Sequence, residues 1–81
     1  MCRWYWVIYK IKIGDEWVEL KRGYEEQDYK NLVKREEKGE IKLEEVYVGD
    51  IGQILKLAIL RDLKLYDSRA NEVLKEMKRI R

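Results

Sequence analysis

The chain has 81 residues, 18 basic and 16 acidic, a net charge of +2, no histidine and a single cysteine. That length makes one domain, residues 1–81, near the size where one core is barely sufficient. The lone Cys2 excludes an internal disulfide, and without histidine or clustered thiols no metal centre is expected.

Mixed charge at 42% of residues, with no proline or phenylalanine, resembles the thermophile-like composition in which ion-pair networks stabilise at high temperature; an AT-rich genome would equally enrich Lys, Ile and Tyr. A short chain of this kind also resembles accessory proteins of archaeal viruses and plasmids. No apolar run, the aliphatic stretch Leu57 to Leu60 included, is long enough to cross a bilayer. One cysteine and no secretory pattern point to a cytoplasmic protein without a membrane partner. Charge is uneven: the first fourteen residues are net positive, residues 15–50 net negative and residues 51–81 net positive. Such a chain suits a polyanion at its ends, or a second copy of itself.

Met1 to Ile13 reads as a long strand. One face is Tyr5, Val7, Tyr9, Ile11 and Ile13; the other is Trp4, Trp6 and Ile8 followed by Lys10 and Lys12. Gly14-Asp15 is a two-residue hairpin signal. It pairs Ile13 with Glu16, Lys12 with Trp17, Ile11 with Val18, Lys10 with Glu19 and Tyr9 with Leu20. An ion pair between Lys10 and Glu19 and a cation–π pair between Lys12 and Trp17 are expected on the outer face.

Residues 24–38 carry Tyr29, Leu32, Val33 and Glu36 at helical spacing, with a Glu26–Lys30 pair and Gly39 suited to close the helix. Glu40 to Val48 follows as a strand whose alternation breaks. A bulge at Glu44-Glu45 would bring Ile41, Leu43, Val46 and Val48 to one face. Asp50 and Gln53 form a capping box for a helix over roughly 50–65 that is apolar around most of its circumference. It is therefore buried centrally or lies at a subunit interface. Asp67 or Ser68 caps a last helix with an apolar stripe of Ala70, Val73, Leu74, Met77 and Ile80, and Lys75, Lys78, Arg79 and Arg81 crowd its end.

The expected fold is α+β, ββαβαα, a three-stranded antiparallel sheet of order 2-1-3 with three helices. Val46–Val48, the capped helix and residues 67–75 resemble a ribbon-helix-helix unit in helix lengths and in the Ser-Arg start of the last helix. Against it, Glu44 and Glu45 flank the strand that would enter the major groove, where basic or amide residues are expected.

Catalysis is not expected. No histidine serves as a base near neutral pH, the one serine is needed as a cap, and Cys2 reads as an incidental thiol. No cofactor motif is present: Gly49-Asp50-Ile51-Gly52 lacks the phosphate-loop lysine and spacing. The acidic doublets 25–26, 36–37 and 44–45 read as solvated surface. The function expected is a small non-enzymatic binding protein. Nucleic-acid binding is favoured through Arg69, Lys75, Lys78, Arg79 and Arg81, with Lys10 and Lys12 second. The Trp4/Trp6 stripe beside Lys10 and Lys12 resembles sheet surfaces that stack single-stranded bases, but so large an apolar patch needs a cover, from a helix of the chain or from a second subunit. The competing reading is a protein–protein interaction module, an inhibitor or assembly factor, working through a Trp4/Trp6/Ile8 interface. Surplus apolar surface also points to a homodimer, through that face or the second helix.

Overall fold

Alternation of apolar and polar residues on both sides of Gly14-Asp15 builds the hairpin on which the other elements pack. The computed structural model describes residues 3–81; Met1 and the Cys2 thiol lie outside the described residues. Strand β1 (Trp4–Ile13) pairs antiparallel with β2 (Glu16–Glu25). Every pair expected from the turn is present, from Ile13 with Glu16 to Tyr9 with Leu20, and the ladder continues to Trp4 with Glu25. Gly14 sits at φ +61° while Asp15 does not, the pattern of a type II′ turn.

Helix α1 (Glu26–Glu37) leads to β3 (Ile41–Gly49), which pairs antiparallel with the other side of β1. The register shifts between Ile8 and Tyr9, opposite Glu45 and Leu43, so Glu44 is the bulged residue. The bulge lets Ile41, Leu43 and Val46 join one core, with Val48 packed against it. Helices α2 (Ile51–Asp62) and α3 (Tyr66–Leu74) follow, and α2 opens with the full Asp50/Gln53 capping box.

The chain then departs from expectation. The last helix stops at Leu74, and Lys78–Arg79 forms a fourth strand, β4, beside β3. The sheet is four-stranded, in the order β2-β1-β3-β4. Val46 and its carbonyl exchange hydrogen bonds with Ile80 and Arg81, so the segment satisfies the outer edge of β3. Met77 still packs in the core with Ala70, but Ile80 is exposed. Because β3 is paired on both sides within the chain, it is not the free ribbon strand of a ribbon-helix-helix dimer.

Helix α1 covers one face of the sheet over Tyr5, Val7 and Tyr9. Helices α2 and α3 cover the other over Trp6, Ile8 and Tyr47. The central strand β1 is thus buried on both faces over its first half, as its sequence requires. No helix among the described residues is long and apolar enough to cross a membrane.

Candidate interaction surfaces

Helix α2 packs through Ile54 and Leu57, with Ala58 partly covered. It approaches β2 so closely at Gly23 that a Cβ there would overlap the Ile54 side chain. Arg61 adds a hydrogen bond of 2.5 Å from Nη1 to the Lys21 carbonyl. These contacts fix which side of the helix faces inward. The opposite side carries Ile51, Leu55, Ile59 and, at the cap, Leu63, spaced four residues apart and 43%, 55%, 56% and 62% exposed. Leu65 extends the apolar surface. Beside this ladder an open groove of about 290 Å³ runs between α2 and α3, lined by Lys56, Ile59, Leu60, Arg69, Glu72 and Val73. Scattered exposed leucines need no explanation; a ladder of four on one helix face is a contiguous apolar surface.

The Trp4/Trp6/Ile8 face, expected from sequence as an interface, is instead covered largely from within the chain. Trp6 is fully buried and Ile8 nearly so, beneath the chain's own α2 and α3, and Trp4 packs partly against the same cluster. Trp6 donates from Nε1 to the Tyr66 hydroxyl at 2.8 Å. The Trp6 indole is therefore closed to bases and to a second chain, while Trp4 keeps part of its surface open.

The basic residues expected at the end of one helix are also placed differently. Only Arg69 lies on α3; Lys75 follows the helix, and Lys78 and Arg79 are in β4. Arg79 faces Glu45 at 3.8 Å and lies over the Tyr47 ring, and Arg81 grips Glu36 at 2.7 Å. Glu36 also accepts from the Leu43 amide at 2.9 Å. It therefore ties α1 to the C-terminal segment rather than standing free in solvent, as its acidic doublet suggests. Lys10 pairs with Glu44 at 3.7 Å instead of Glu19, which instead bridges to Lys21 at 3.4 Å. The Trp17 ring is capped by Lys42 at 4.3 Å rather than by Lys12. Glu26 and Lys30 form no ion pair among the described residues. The two basic groups do not merge: β4 lies beside Tyr47 and Val48, whereas Lys10 and Lys12 lie toward the hairpin turn.

That turn-proximal half of the α2-side sheet face is polar and open. Trp17, Lys12, Lys10 and Lys42 occupy adjacent positions across three strands. Four tyrosines are held neutral well beyond ordinary pH. Burial, then a hydrogen bond to the Glu45 carboxylate, pushes the Tyr47 hydroxyl up to about 12, although Arg79 pulls the other way. Burial raises Tyr24, helped by its hydrogen bond with Tyr9. Burial also raises Tyr29 and Tyr66. These hydroxyls act as structural hydrogen-bond partners.

Comparison with protein-family models, curated proteins and solved structures finds no match to this chain. The surface that sequence reasoning locates only in outline is the α2 ladder. Its signal is the excess of apolar residues around that helix; which half remains outside depends on the fit at Gly23.

Proposed function

We propose that the chain is a non-enzymatic protein-interaction module whose working surface is the outer face of α2. The observation that carries this reading is the exposed ladder Ile51, Leu55, Ile59 and Leu63. An apolar ladder beside a groove suits a partner's amphipathic helix, read at helical spacing. Lys56 and Arg69 at the groove, with Lys64 just past the end of α2, favour acidic residues flanking that helix. The test is a pull-down from nuclease-treated lysate with the wild type and with Leu55→Lys/Ile59→Lys. The expected result is a partner held by the wild type through high salt and lost by the variant, with unchanged circular dichroism. A partner retained equally by both would remove α2 as the surface.

Nucleic-acid binding is the second reading, and one feature favours it: Lys10, Lys12 and Lys42 beside Trp17 on the open sheet face. An aromatic ring among cations on a sheet is the arrangement that stacks single-stranded bases. Filter binding across a salt series decides. Each phosphate contact contributes a slope of about −0.7 on single strands, so Lys12→Gln/Lys42→Gln should flatten it. No retention of DNA or RNA near physiological salt removes this reading.

A further inference from the structure

The two edges of the sheet are treated differently. At the β3 side, β4 and residues 80–81 pair with the strand, and Glu36 caps the Leu43 amide. At the other side β2 runs ten residues as an edge strand with no proline and no bulge. Long, regular edges of this kind invite another strand.

Which groups β2 offers follows from the hairpin. In a two-residue turn the closing pair, Ile13 with Glu16, exchanges hydrogen bonds, and such pairs then alternate along the ladder. Glu16, Val18, Leu20 and Arg22 therefore bond to β1. Trp17, Glu19, Lys21 and Gly23 turn their N–H and C=O groups outward. The Arg61 guanidinium bonded to the Lys21 carbonyl agrees with this phase, and it caps one outward carbonyl among several.

We propose that this edge pairs antiparallel with the β2 edge of a second copy, about a twofold axis perpendicular to the sheet. Only residues with outward groups can hydrogen-bond across such a contact, so the register is limited to a few choices. One sets Glu19 opposite Lys21 of the second copy and, by symmetry, Lys21 opposite Glu19. It places Leu20 against Leu20 on the axis and brings Trp17 opposite Gly23. Moving the axis by one residue in either direction sets Glu19 against Glu19 or Lys21 against Lys21, which like charge disfavours. Glu19 and Lys21 already form an exposed ion pair on one strand, and in the dimer each carboxylate exchanges its ammonium for the other copy's. Single-sign charges would guard an edge; this alternating pair is complementary to itself.

The space beside the edge is suited to the same register. A groove of about 630 Å³ runs between β2 and α2, lined by Gly23, Ile54, Ala58 and Arg61 among others. The second copy's Trp17 arrives at Gly23, at the mouth of this groove. Arg61 gives up the Lys21 carbonyl to the incoming amide and keeps its ion pair with Asp62. The twofold axis makes one eight-stranded sheet with both α2 helices on the same side. This contact does not use the α2 ladder, so it and the proposed function stand or fall separately.

The test is sedimentation of the full chain with charge reversals. Wild type should dimerise, Glu19→Lys and Lys21→Glu should each weaken the dimer by about ten-fold or more, and the double reversal should restore it. Circular dichroism checks that each variant is folded. As a second measurement, Leu20→Cys with Cys2→Ser should cross-link through a disulfide on oxidation, since facing residues at non-hydrogen-bonded positions lie about 4.5 Å apart at Cα. A wild type that stays monomeric to millimolar concentration would overturn the proposal. So would a dimer indifferent to both single reversals, a double reversal that fails to rescue, or a Leu20→Cys variant that does not cross-link.

Discussion

Helices α1 and α2 have the same length and pack on opposite faces of the same strand, yet their outer sides differ in kind. Outside α1 are Glu26, Gln27, Lys30, Lys34 and Glu37, the polar surface expected of a helix whose task ends with covering a sheet. Outside α2 are isoleucines and leucines that stand about half exposed and belong to neither core cluster. Folding explains one apolar side per helix. The second side of α2 has no such role within the fold, and that difference makes it the candidate surface.

Truncating the two sides of α2 in turn should give unequal losses. Leu57→Ala removes a fully buried side chain and should cost about 2–5 kcal/mol in urea unfolding. Leu55→Ala, two residues away and half exposed, should change stability by no more than about 0.5 kcal/mol. Comparable losses at both would mean the ladder is covered in the folded monomer, and the contrast with α1 would disappear.

The C-termini of the two helices also differ. Both helices close with the same pair of hydrogen bonds, Glu40 to Arg35 and Gly39 to Glu36 in α1, Leu65 to Leu60 and Lys64 to Arg61 in α2. The left-handed position holds Gly39 at φ +79° in one and Lys64 at φ +61° in the other. Gly39→Ala should therefore destabilise by about 1 kcal/mol, whereas Lys64→Gly should stabilise by roughly 0.5 kcal/mol, both read from denaturant midpoints. The N-termini differ in the opposite sense. Asp50→Ala should cost about 1 kcal/mol, and Glu25→Ala, which removes no capping bond, a few tenths at most by the same measurement.

The smallest expected effect is alkaline. Tyr47 and Tyr66 on the α2 side and Tyr24 and Tyr29 on the α1 side are all raised above the ordinary tyrosine value. A raised folded value means the neutral form is the one the fold holds. That contribution is complete below the unfolded value near 10 and is lost as pH rises, for Tyr47 up to about 12. Tyrosinate absorbance on base titration should appear late for these four, together with loss of the fold. Titration of these four near 10 with the fold intact would contradict it.

The hairpin register, the Glu44 bulge and the Asp50 cap are legible in the sequence because each rests on residues close together along the chain. The strand β4 is not. Ala70, Val73, Leu74, Met77 and Ile80 continue a helical period without interruption, and no glycine or proline marks the break after Leu74. What selects a strand for Lys78–Arg79 is the open edge of β3, a partner about thirty residues upstream that local pattern cannot report. The tryptophan stripe needs a cover on its sequence alone, but composition does not say which element supplies it. The cations form a group along the chain, yet their carboxylate partners, Glu36 and Glu45, come from other elements.

The bulge at Glu44 shapes the sheet without being needed to pair it. If that residue were deleted, Ile41, Leu43, Val46 and Val48 would alternate strictly, and every partner of β3 along β1 would be unchanged. Glu44 is therefore dispensable for pairing. What it adds is curvature: an extra residue on one strand bends it and steepens the local twist. It does so where the α2-side face passes from covered apolar residues to open charged ones, and there it sets its carboxylate beside Lys10. The chain spends one residue on the shape of its sheet, at the boundary between the half that folds it and the half left to solvent.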